Sequence, residues 1–213
     1  DMGTGCDTII AQFAADVLET PIDNISVYGV DTDISPYDSG SYASSTTYLT
    51  GMAAVKACEQ LRERIIALAA VRMNKDASAL TFDGENVIDE SDGAKMSLFD
   101  IATASMCNNE ISLEVTYSHS SPVSPPPFMA ACAEIEADPE TGAIELLDYT
   151  ACVDCGTVVN TNLARVQTEG GLLQGIGMTL YEDIWYDERG KNLSNSFMQY
   201  KVPSRLDTDR IRV

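Results

Sequence analysis

Basic residues are scarce in this chain of 213 residues: 13 Lys and Arg stand against 33 Asp and Glu, a formal net charge of −20. Such a negative field repels nucleic-acid phosphates and anionic membranes, so we expect neither as a partner. It still permits one anion held by backbone N–H groups, because that interaction depends on local geometry. No apolar run reaches about 18 residues and no signal peptide is visible, which favours a cytoplasmic location.

Histidine is nearly absent, since His119 is the only one in the sequence. The CxxC formed by Cys152 and Cys155 has no second cysteine or histidine pair, and a zinc site would need two further ligands. We therefore expect both cysteines to be buried structural thiols and His119 to be a loop residue. Six cysteines in a chain of this length fit a reducing compartment better than a disulfide scaffold.

Hydrophobic periodicity predicts an α+β fold with mixed or antiparallel sheets in two subdomains, at 1–120 and 128–213. A connector at 121–127, rich in proline, separates them. Helices are expected at 7–19, about 48–74, 97–107 and about 162–180. Strands are expected at 24–31, 111–117, 128–137 and 143–153, in a hairpin at 79–89 and in a pair around the turn at 187–190.

Two glycines precede the first expected helix, in the sequence Asp1-Met2-Gly3-Thr4-Gly5-Cys6-Asp7-Thr8. The free N–H groups at such a helix start suit a phosphate or another anion. The alternative is an ordinary helix start, with Asp7 or Thr8 as the N-cap.

Small hydroxyl residues dominate a second segment, Gly40-Ser41-Tyr42-Ala43-Ser44-Ser45-Thr46-Thr47, which also leads into a helix. Its many donors and small side chains suit a phosphate cradle. A solvated loop that ends in a Ser or Thr cap would have the same composition.

Four glycines lie inside the last expected helix, within a stretch of about eight residues: Gly170, Gly171, Gly175 and Gly177. Each costs roughly 1 kcal/mol relative to alanine, so something must approach the backbone closely. That could be a ligand or a second helix. Gln167 and Gln174 share a face of this helix, being two turns apart.

Taken in order, the three segments resemble the molybdenum-cofactor-binding subunit of the xanthine dehydrogenase/aldehyde oxidase family of molybdenum hydroxylases. The first resembles Glu-Met/Val-Gly-Gln-Gly-x-x-Thr, and the second an Ala-Ser-x-Ser/Thr loop at 43–46. The third resembles an Asp-x-Gly turn closed by Asn-Pro, with Thr161 replacing the proline, followed by Gln-x-Glu-Gly and Gln-Gly-x-Gly. The resemblance spans nearly the whole chain.

The resemblance implies a molybdenum–molybdopterin cofactor, with or without a nucleotide extension, and hydroxylation of an N-heterocycle or aldehyde with water as the oxygen source. It implies iron–sulfur clusters and FAD on partner chains or domains, together with the remaining part of the molybdenum-binding subunit. The cofactor-binding residues it implies fall in three groups: Met2, Gly3 and Thr4 at the pterin or its phosphate; Ala43, Ser44 and Thr46 at the phosphate end; and Gln167 at the pterin.

Two departures from the family pattern limit this interpretation. Thr4 replaces the usual Gln, so a contact that needs that amide is in doubt. The family's catalytic glutamate belongs to a Gly-Glu-Pro-like segment beyond the position of Val213, so we expect no catalytic residue and no metal ligand among these 213 residues. Two alternatives therefore stay open: a non-catalytic chaperone that handles the cofactor, and a structural half-subunit.

Overall fold

The computed structural model describes residues 2–107, 111–207 and 209–213. It divides the chain into two compact units, Asp1–Ser124 and Pro125–Val213. Helices and short sheets coexist in both units, which confirms the α+β class. No helix in the described ranges is both long and apolar enough to cross a membrane.

The first unit packs helices against a small antiparallel sheet of order β1-β2-β3. Asp83 makes the β1–β2 turn, because its carboxylate accepts the backbone N–H groups of Glu85 and Asn86. Ser97 starts α3 as its N-cap and accepts the N–H of Asp100 at 3.1 Å. The elements are α1 (Cys6–Leu18), α2 (Gly51–Met73), β1 (Leu80–Phe82), β2 (Asn86–Asp89), β3 (Lys95–Ser97) and α3 (Leu98–Met106).

The hydrophobic core of the first unit lies between the carboxyl-terminal half of α2 and the sheet. Ile65 and Leu68 are buried there, on one face of α2. Lys75, just beyond α2, forms an ion pair with the buried carboxylate of Asp89 at 2.8 Å. The buried core residues are Ile65, Leu68, Ala69, Ala70, Leu80, Phe82, Val87 and Ile101.

The second unit is built on a long antiparallel hairpin, β4 (Phe128–Ala137) and β5 (Ile144–Asp154). The two-residue β6 (Ile211–Arg212) pairs with β5 in parallel, so this sheet is mixed as expected. Helix α4 (Thr161–Leu180) follows β5. All ten residues of β4 are exposed, and the buried apolar side chains described in this unit are Ala151, Leu172 and Ile176.

Three expected strand regions are wrong in detail. Residues 24–31 and 111–117 join no sheet in the part of the chain that the structure describes, and the strand pair around 187–190 is reduced to one bridge, Tyr186↔Asn192. A strand requires a hydrogen-bonding neighbour, and alternation of side chains does not reveal whether one exists. The strand β3 was absent from the expectation.

Candidate functional site

The first of the three segments enters α1 through two glycines in left-handed conformations. Gly3 has φ 89° and Gly5 has φ 85°. Gly5 is the N-cap, and no side chain caps this helix, so the alternative of Asp7 or Thr8 as the N-cap is wrong. An α-helix start without a side-chain cap directs its first N–H groups outwards, where an anion can accept them. Met2 is 69% exposed beside it.

Asp7 turns its carboxylate inward from the first turn of α1. Its Oδ1 is buried and has no hydrogen-bond partner among the described residues. The same oxygen would lie 2.2 Å from a Cβ at Gly29, so only glycine fits there. A buried carboxylate oxygen without a partner is costly, and it marks this end of the unit as a place where polar groups from elsewhere are expected.

The second segment contains a turn with an unusual backbone. Ala43 and Ser44 have φ 51° and φ 58°, and the N–H of Ser45 donates to the carbonyl of Tyr42 at 3.1 Å. Positive φ at both central residues is typical of a type I′ turn, which favours Gly and Asn. An Ala and a Ser in this conformation each cost roughly 1 kcal/mol or more.

A turn of π-helix, Thr46–Thr50, joins this segment to α2. Neither it nor α2 has a side-chain cap. The hydroxyl of Ser45 donates instead to the Tyr42 carbonyl at 2.7 Å. The alternative of a Ser or Thr cap is therefore wrong, and the hydroxyl of Thr46 forms no hydrogen bond within the described ranges.

The two segments lie at the same end of the first unit, because α1 and α2 pack side by side and run in the same direction. The ring of Phe13 covers Gly51 at the start of α2, and a Cβ there would be 2.5 Å from the ring. Further along, Arg62 donates to the carbonyl of Val17 at 3.0 Å. Both amino-terminal ends therefore face the same side.

Two carboxylates control the charge at this end. Burial raises the pKa of the Cys6 thiol, and the negative charges of Asp7 and Asp38 raise it further. Cys6 is therefore a neutral thiol at pH 7 and is not a nucleophile. Asp38 accepts the N–H of Gly40 at 2.7 Å, which ties it to the loop that precedes the turn.

The third segment lies in the second unit and presents one open face of α4. Gln167 and Gln174 are both exposed there. A Cβ at Gly170, Gly171 or Gly175 would meet nothing within 4 Å. No atom of the second unit therefore lies close enough to these three positions to require glycine.

Gly177 has a different explanation. A Cβ there would lie 2.3 Å from Glu182 Oε1 and 2.9 Å from the Pro203 ring, so glycine is required by packing inside the second unit. Glu182 is itself held by the hydroxyl of Tyr200 at 2.5 Å. The fourth glycine is thus structural, and a ligand or a second helix is left as the explanation for the other three only.

The turn before α4 is closed by its own polar groups. Asp154 accepts the N–H of Gly156 at 3.0 Å, and the Asn160 side chain caps α4 by accepting the N–H of Leu163 at 3.0 Å. These residues therefore shape the turn. Cys152 and Cys155 are exposed, so the expectation of buried thiols is wrong.

Residues 1–209 match the family model of the molybdopterin cofactor-binding domain, which is nearly the entire chain. The chain belongs to this family. The resemblance to molybdenum hydroxylases is confirmed, and a molybdopterin cofactor-binding domain places the chain in an oxidoreductase family.

Curated relatives of this molybdopterin-binding domain are much longer proteins. The probable hypoxanthine oxidase XdhD of Escherichia coli strain K12 is 36% identical over 211 residues, 99% of this chain and 22% of that protein. The 6-hydroxypseudooxynicotine dehydrogenase complex subunit gamma of Paenarthrobacter nicotinovorans is 32% identical over 216 residues, 99% of this chain and 27% of that protein. The chain thus spans about a quarter of the length of these relatives.

Solved structures agree with the family. The Cu,Mo-CO dehydrogenase in its carbon monoxide reduced state matches with a TM-score of 0.83 at 26% identity, over all of this chain and 27% of that one. Quinoline 2-oxidoreductase from Pseudomonas putida 86 matches with a TM-score of 0.77 at 28% identity, over all of this chain and 28% of that one. The two-sheet α+β architecture of the molybdopterin-binding domain is therefore the one these enzymes share.

Sequence reasoning missed three features of the molybdopterin-binding domain. It did not identify the left-handed turn at Ala43 and Ser44, the link from Asp38 to the loop, or the packing of Asp7 against Gly29. Asp38 had a detectable signal, since a Pro-x-Asp-x-Gly sequence favours a turn. The Asp7 contact had none, because it joins residues more than twenty positions apart.

Proposed function

We propose that this domain forms part of the cofactor site of a molybdenum hydroxylase, and that it holds molybdenum–molybdopterin through the residues that the resemblance implies. Met2, Gly3 and Thr4 line the pterin or its phosphate, in the proposal, at the start of α1. The turn that contains Ala43 and Ser44 holds the phosphate end, together with Thr46. The side chain of Gln167 hydrogen-bonds the pterin.

The observation that carries this proposal is the strained turn. Among the described residues, four non-glycine positions have positive φ: Glu19, Ala43, Ser44 and Asn74. Glu19 and Asn74 end α1 and α2 as C-caps, where a left-handed residue is common. Ala43 and Ser44 have no such role, and strain of this kind concentrates at ligand-binding sites.

The donors present fit a phosphorylated pterin. The uncapped starts of α1 and of the π-turn before α2 supply N–H groups and a favourable dipole for a phosphate. Small side chains at Gly3 and Ala43 leave room for a bulky anion. The amide of Gln167 both donates and accepts, which a heterocycle with alternating ring nitrogens and carbonyls requires.

When bound, the cofactor supplies the redox centre for hydroxylation of an N-heterocycle or an aldehyde, with water as the oxygen source. The protein's own part, in this proposal, is to bind and orient it. Backbone N–H groups in the first turn of α1, after Gly5, donate to its phosphate without a Lys or Arg side chain. The open glycine face of α4 lets the ring approach the helix backbone, and Gln167 sets its orientation.

We further propose that the domain works inside a larger subunit of a complex that carries iron–sulfur clusters and FAD. One relative is named as the gamma subunit of a dehydrogenase complex, and another is named as the large subunit of nicotine 6-hydroxylase. The second unit leaves Phe197 and Leu206 86% and 85% exposed on its surface. The catalytic glutamate would come from that larger subunit.

The experiment that tests the site is Gln167→Ala in the full-length complex, with molybdenum and pterin measured per protein. We expect occupancy to fall at least about fivefold. This is the effect of losing one neutral hydrogen bond to the ligand, which contributes about 1 kcal/mol. Gln199→Ala is the matched control, because it removes the same amide from an exposed loop of the same unit. Unchanged occupancy in Gln167→Ala would refute the residue assignment.

A cofactor-handling chaperone predicts a different result from the same samples. The cofactor would then be bound by the wild-type complex and released to an acceptor apoenzyme, and no hydroxylase activity would accompany it. Activity that follows molybdenum content across the variants supports the enzyme.

A further inference from the structure

The outer edge of the long hairpin in the second unit is open. β4 is the end strand of its sheet, and all ten of its residues are exposed. The N–H of Asp138 donates to the carbonyl of Ala143 at 2.9 Å where the hairpin closes, so even-numbered residues of β4 hydrogen-bond to β5. The register shift inserts Leu147 into β5 and leaves this alternation in β4 intact. Odd-numbered residues, from 129 to 137, therefore direct their N–H and C=O groups outwards, where no described residue pairs with them.

An open edge of this length is a ready template for another strand. At about 3.3 Å per residue, β4 extends roughly 30 Å. It contains neither proline nor lysine, the residues that commonly keep an exposed edge from pairing. Its charged side chains are Glu134 and Glu136, and their surroundings indicate what kind of strand this edge accepts.

A row of charges crosses this sheet and ends in an unmatched carboxylate. Arg212 of β6 forms an ion pair with Asp148 of β5. Asp148 lies directly opposite Glu134 of β4, so two carboxylates face each other across the hairpin. Like charges at directly opposed positions destabilise a sheet. Among the described residues Glu134 has no ion-pair partner, so this row contains one arginine and two acids.

A second row repeats the first. Arg210 of β6 forms an ion pair with Glu145 of β5 at 2.9 Å, and Glu145 lies opposite Glu136 of β4. Glu136 also lacks an ion-pair partner in the part of the chain that the structure describes. Since Glu134 and Glu136 are alternate residues of one strand, they lie on the same face of the sheet, about 7 Å apart along it. On the other side of the hairpin β6 matches this spacing, because its two arginines flank Ile211.

We propose that an extended segment from the remaining part of the larger subunit pairs with the open edge of β4 and places two Lys or Arg residues, at alternate positions, beside Glu134 and Glu136. Each row then contains two bases and two acids and has no net charge. The residue between the two basic ones is apolar, as Ile211 is in β6, and lies beside Ile135 on the opposite face. The inference rests on the proposed larger subunit, whose relatives are about four times the length of this chain.

Other occupants fit this edge less well. A second copy of the chain would bring its own Glu134 and Glu136 to a sheet that already has an excess of acid, and each copy has a formal net charge of −20. A compact ligand covers only part of an edge roughly 30 Å long. A divalent cation would bind the two glutamates and leave the outward backbone groups of β4 without a partner. A basic strand satisfies both the charges and the backbone.

Residue-resolved hydrogen–deuterium exchange on the full-length subunit tests this directly. In an edge strand the even-numbered N–H groups of β4 are protected and the odd-numbered ones are not. We expect both sets to exchange at least about 100-fold more slowly than an unstructured chain. Odd-numbered residues that exchange at the rate of an unstructured chain overturn the inference. Protection that requires added calcium, rises with protein concentration or is lost when partner subunits are removed also overturns it, since the occupant is then a cation, a second copy or another subunit.

Charge reversal at Glu136 distinguishes an open edge from a basic neighbour by the sign of its effect. On an open edge, Glu136→Lys turns the like-charge pair with Glu145 into an opposite-charge pair, so β4 should exchange no faster. Beside a basic strand the new lysine is repelled, and we expect the odd-numbered residues to exchange at least about tenfold faster than in the wild type. Unchanged or slower exchange overturns the proposal.

Glu140→Lys is the matched control, because it makes the same change of charge in the exposed turn of the same hairpin. Exchange of the odd-numbered residues should stay within about twofold of the wild type in this variant. Equal acceleration in the two variants would mean that the net charge, and not a basic neighbour of Glu136, controls the exchange, and it would overturn the assignment.

The wild-type exchange measurement remains decisive if Glu136→Lys does not fold. Molybdenum content, measured on the same samples, separates this inference from the proposed cofactor site. Protected odd-numbered residues without cofactor support the strand and count against the cofactor site, whereas full cofactor with an open edge does the reverse.

Discussion

The hydroxyl of Thr50 donates a 3.2 Å hydrogen bond to the carboxylate of Asp38, which also accepts the N–H of Gly40 at 2.7 Å. One side chain thus joins the loop before the strained turn to the residue that precedes α2. The turn at Ala43 and Ser44 lies between these two attachment points. Asp38 therefore limits how far the turn can move from the helix start.

Replacement of Asp38 by alanine should loosen the turn and weaken cofactor binding. Both hydrogen bonds are lost, and each contributes about 1 kcal/mol, so we expect molybdenum occupancy of the full-length complex to fall by up to about thirtyfold at limiting cofactor. Asp31→Ala is the control, because Asp31 accepts the N–H of Asp33 in the same exposed stretch without reaching a helix. Similar losses in both variants would show that Asp38 has no special role.

Ala43→Gly should stabilise the protein, because glycine adopts positive φ without the Cβ clash. We expect the free energy of unfolding of the full-length subunit to rise by up to about 1 kcal/mol in urea titrations. Ala77→Gly serves for comparison, since Ala77 is exposed and has an ordinary backbone conformation; it should not gain stability. Ala43→Val should lose both stability and cofactor, because a β-branched residue is strongly disfavoured there.

Two glycines of α4 should respond to alanine in opposite ways. Gly177→Ala places a methyl group against Glu182 and Pro203, and overpacking of this kind costs about 1–3 kcal/mol of unfolding free energy. Gly171→Ala meets only open space, so the apoprotein should gain up to about 1 kcal/mol from helix propensity.

Cofactor occupancy completes the comparison between these glycines. The proposal predicts that Gly171→Ala lowers molybdenum and pterin content although the fold is intact, because the added methyl group lies on the face that the cofactor approaches. Full occupancy in Gly171→Ala would mean that the open face of α4 does not contact the cofactor.

Acid should weaken the ion pair that joins α2 to the first sheet. The hydrogen bond from Lys75, together with those from Ser91, lowers the pKa of Asp89 from 3.8 to about 2. Because the folded-state pKa is lower than the unfolded value, this stabilisation is complete above pH 4 and is lost as the pH falls towards 2.

The test of that pH dependence compares urea midpoints at pH 6 and pH 2.5 in the wild type and in Asp89→Asn. The variant should be less stable at pH 6, and the difference should shrink at pH 2.5. Asp92→Asn is the control, because Asp92 contacts the same Lys75 from a half-exposed position and should show a smaller change. A gap between wild type and Asp89→Asn that widens in acid would contradict the assignment.

The helices were predictable because each carries its own signals. The apolar periodicity around Phe13 and Ile65 and the cap at Ser97 are local, so α1, α2 and α3 follow from the sequence to within a few residues. The β4–β5 hairpin was equally predictable, because the turn at Asp138 and the strand-like sequences on both sides of it indicate the same hairpin. The sheet neighbours were not predictable, because pairing depends on residues distant in the chain.

The three segments of the candidate site were predictable from the sequence, but their backbone conformations and contacts were not. Spacing and small residues pointed to Gly3, Ser44 and Gln167, and the ordered resemblance linked them. The left-handed turn at Ala43 could not be foreseen, because neither Ala nor Ser favours positive φ and the conformation depends on surrounding contacts. The failed alternative of a Ser or Thr cap before α2 has the same origin, because the hydroxyl of Ser45 donates back to the carbonyl of Tyr42.

The central claim is that this domain binds molybdenum–molybdopterin within a larger subunit. The most direct measurement is the molybdenum and pterin content of the purified full-length complex, by metal analysis and by pterin fluorescence after release. The account predicts near-stoichiometric amounts of both. A complex that is folded and contains its partner subunits, yet carries neither molybdenum nor pterin, would contradict it.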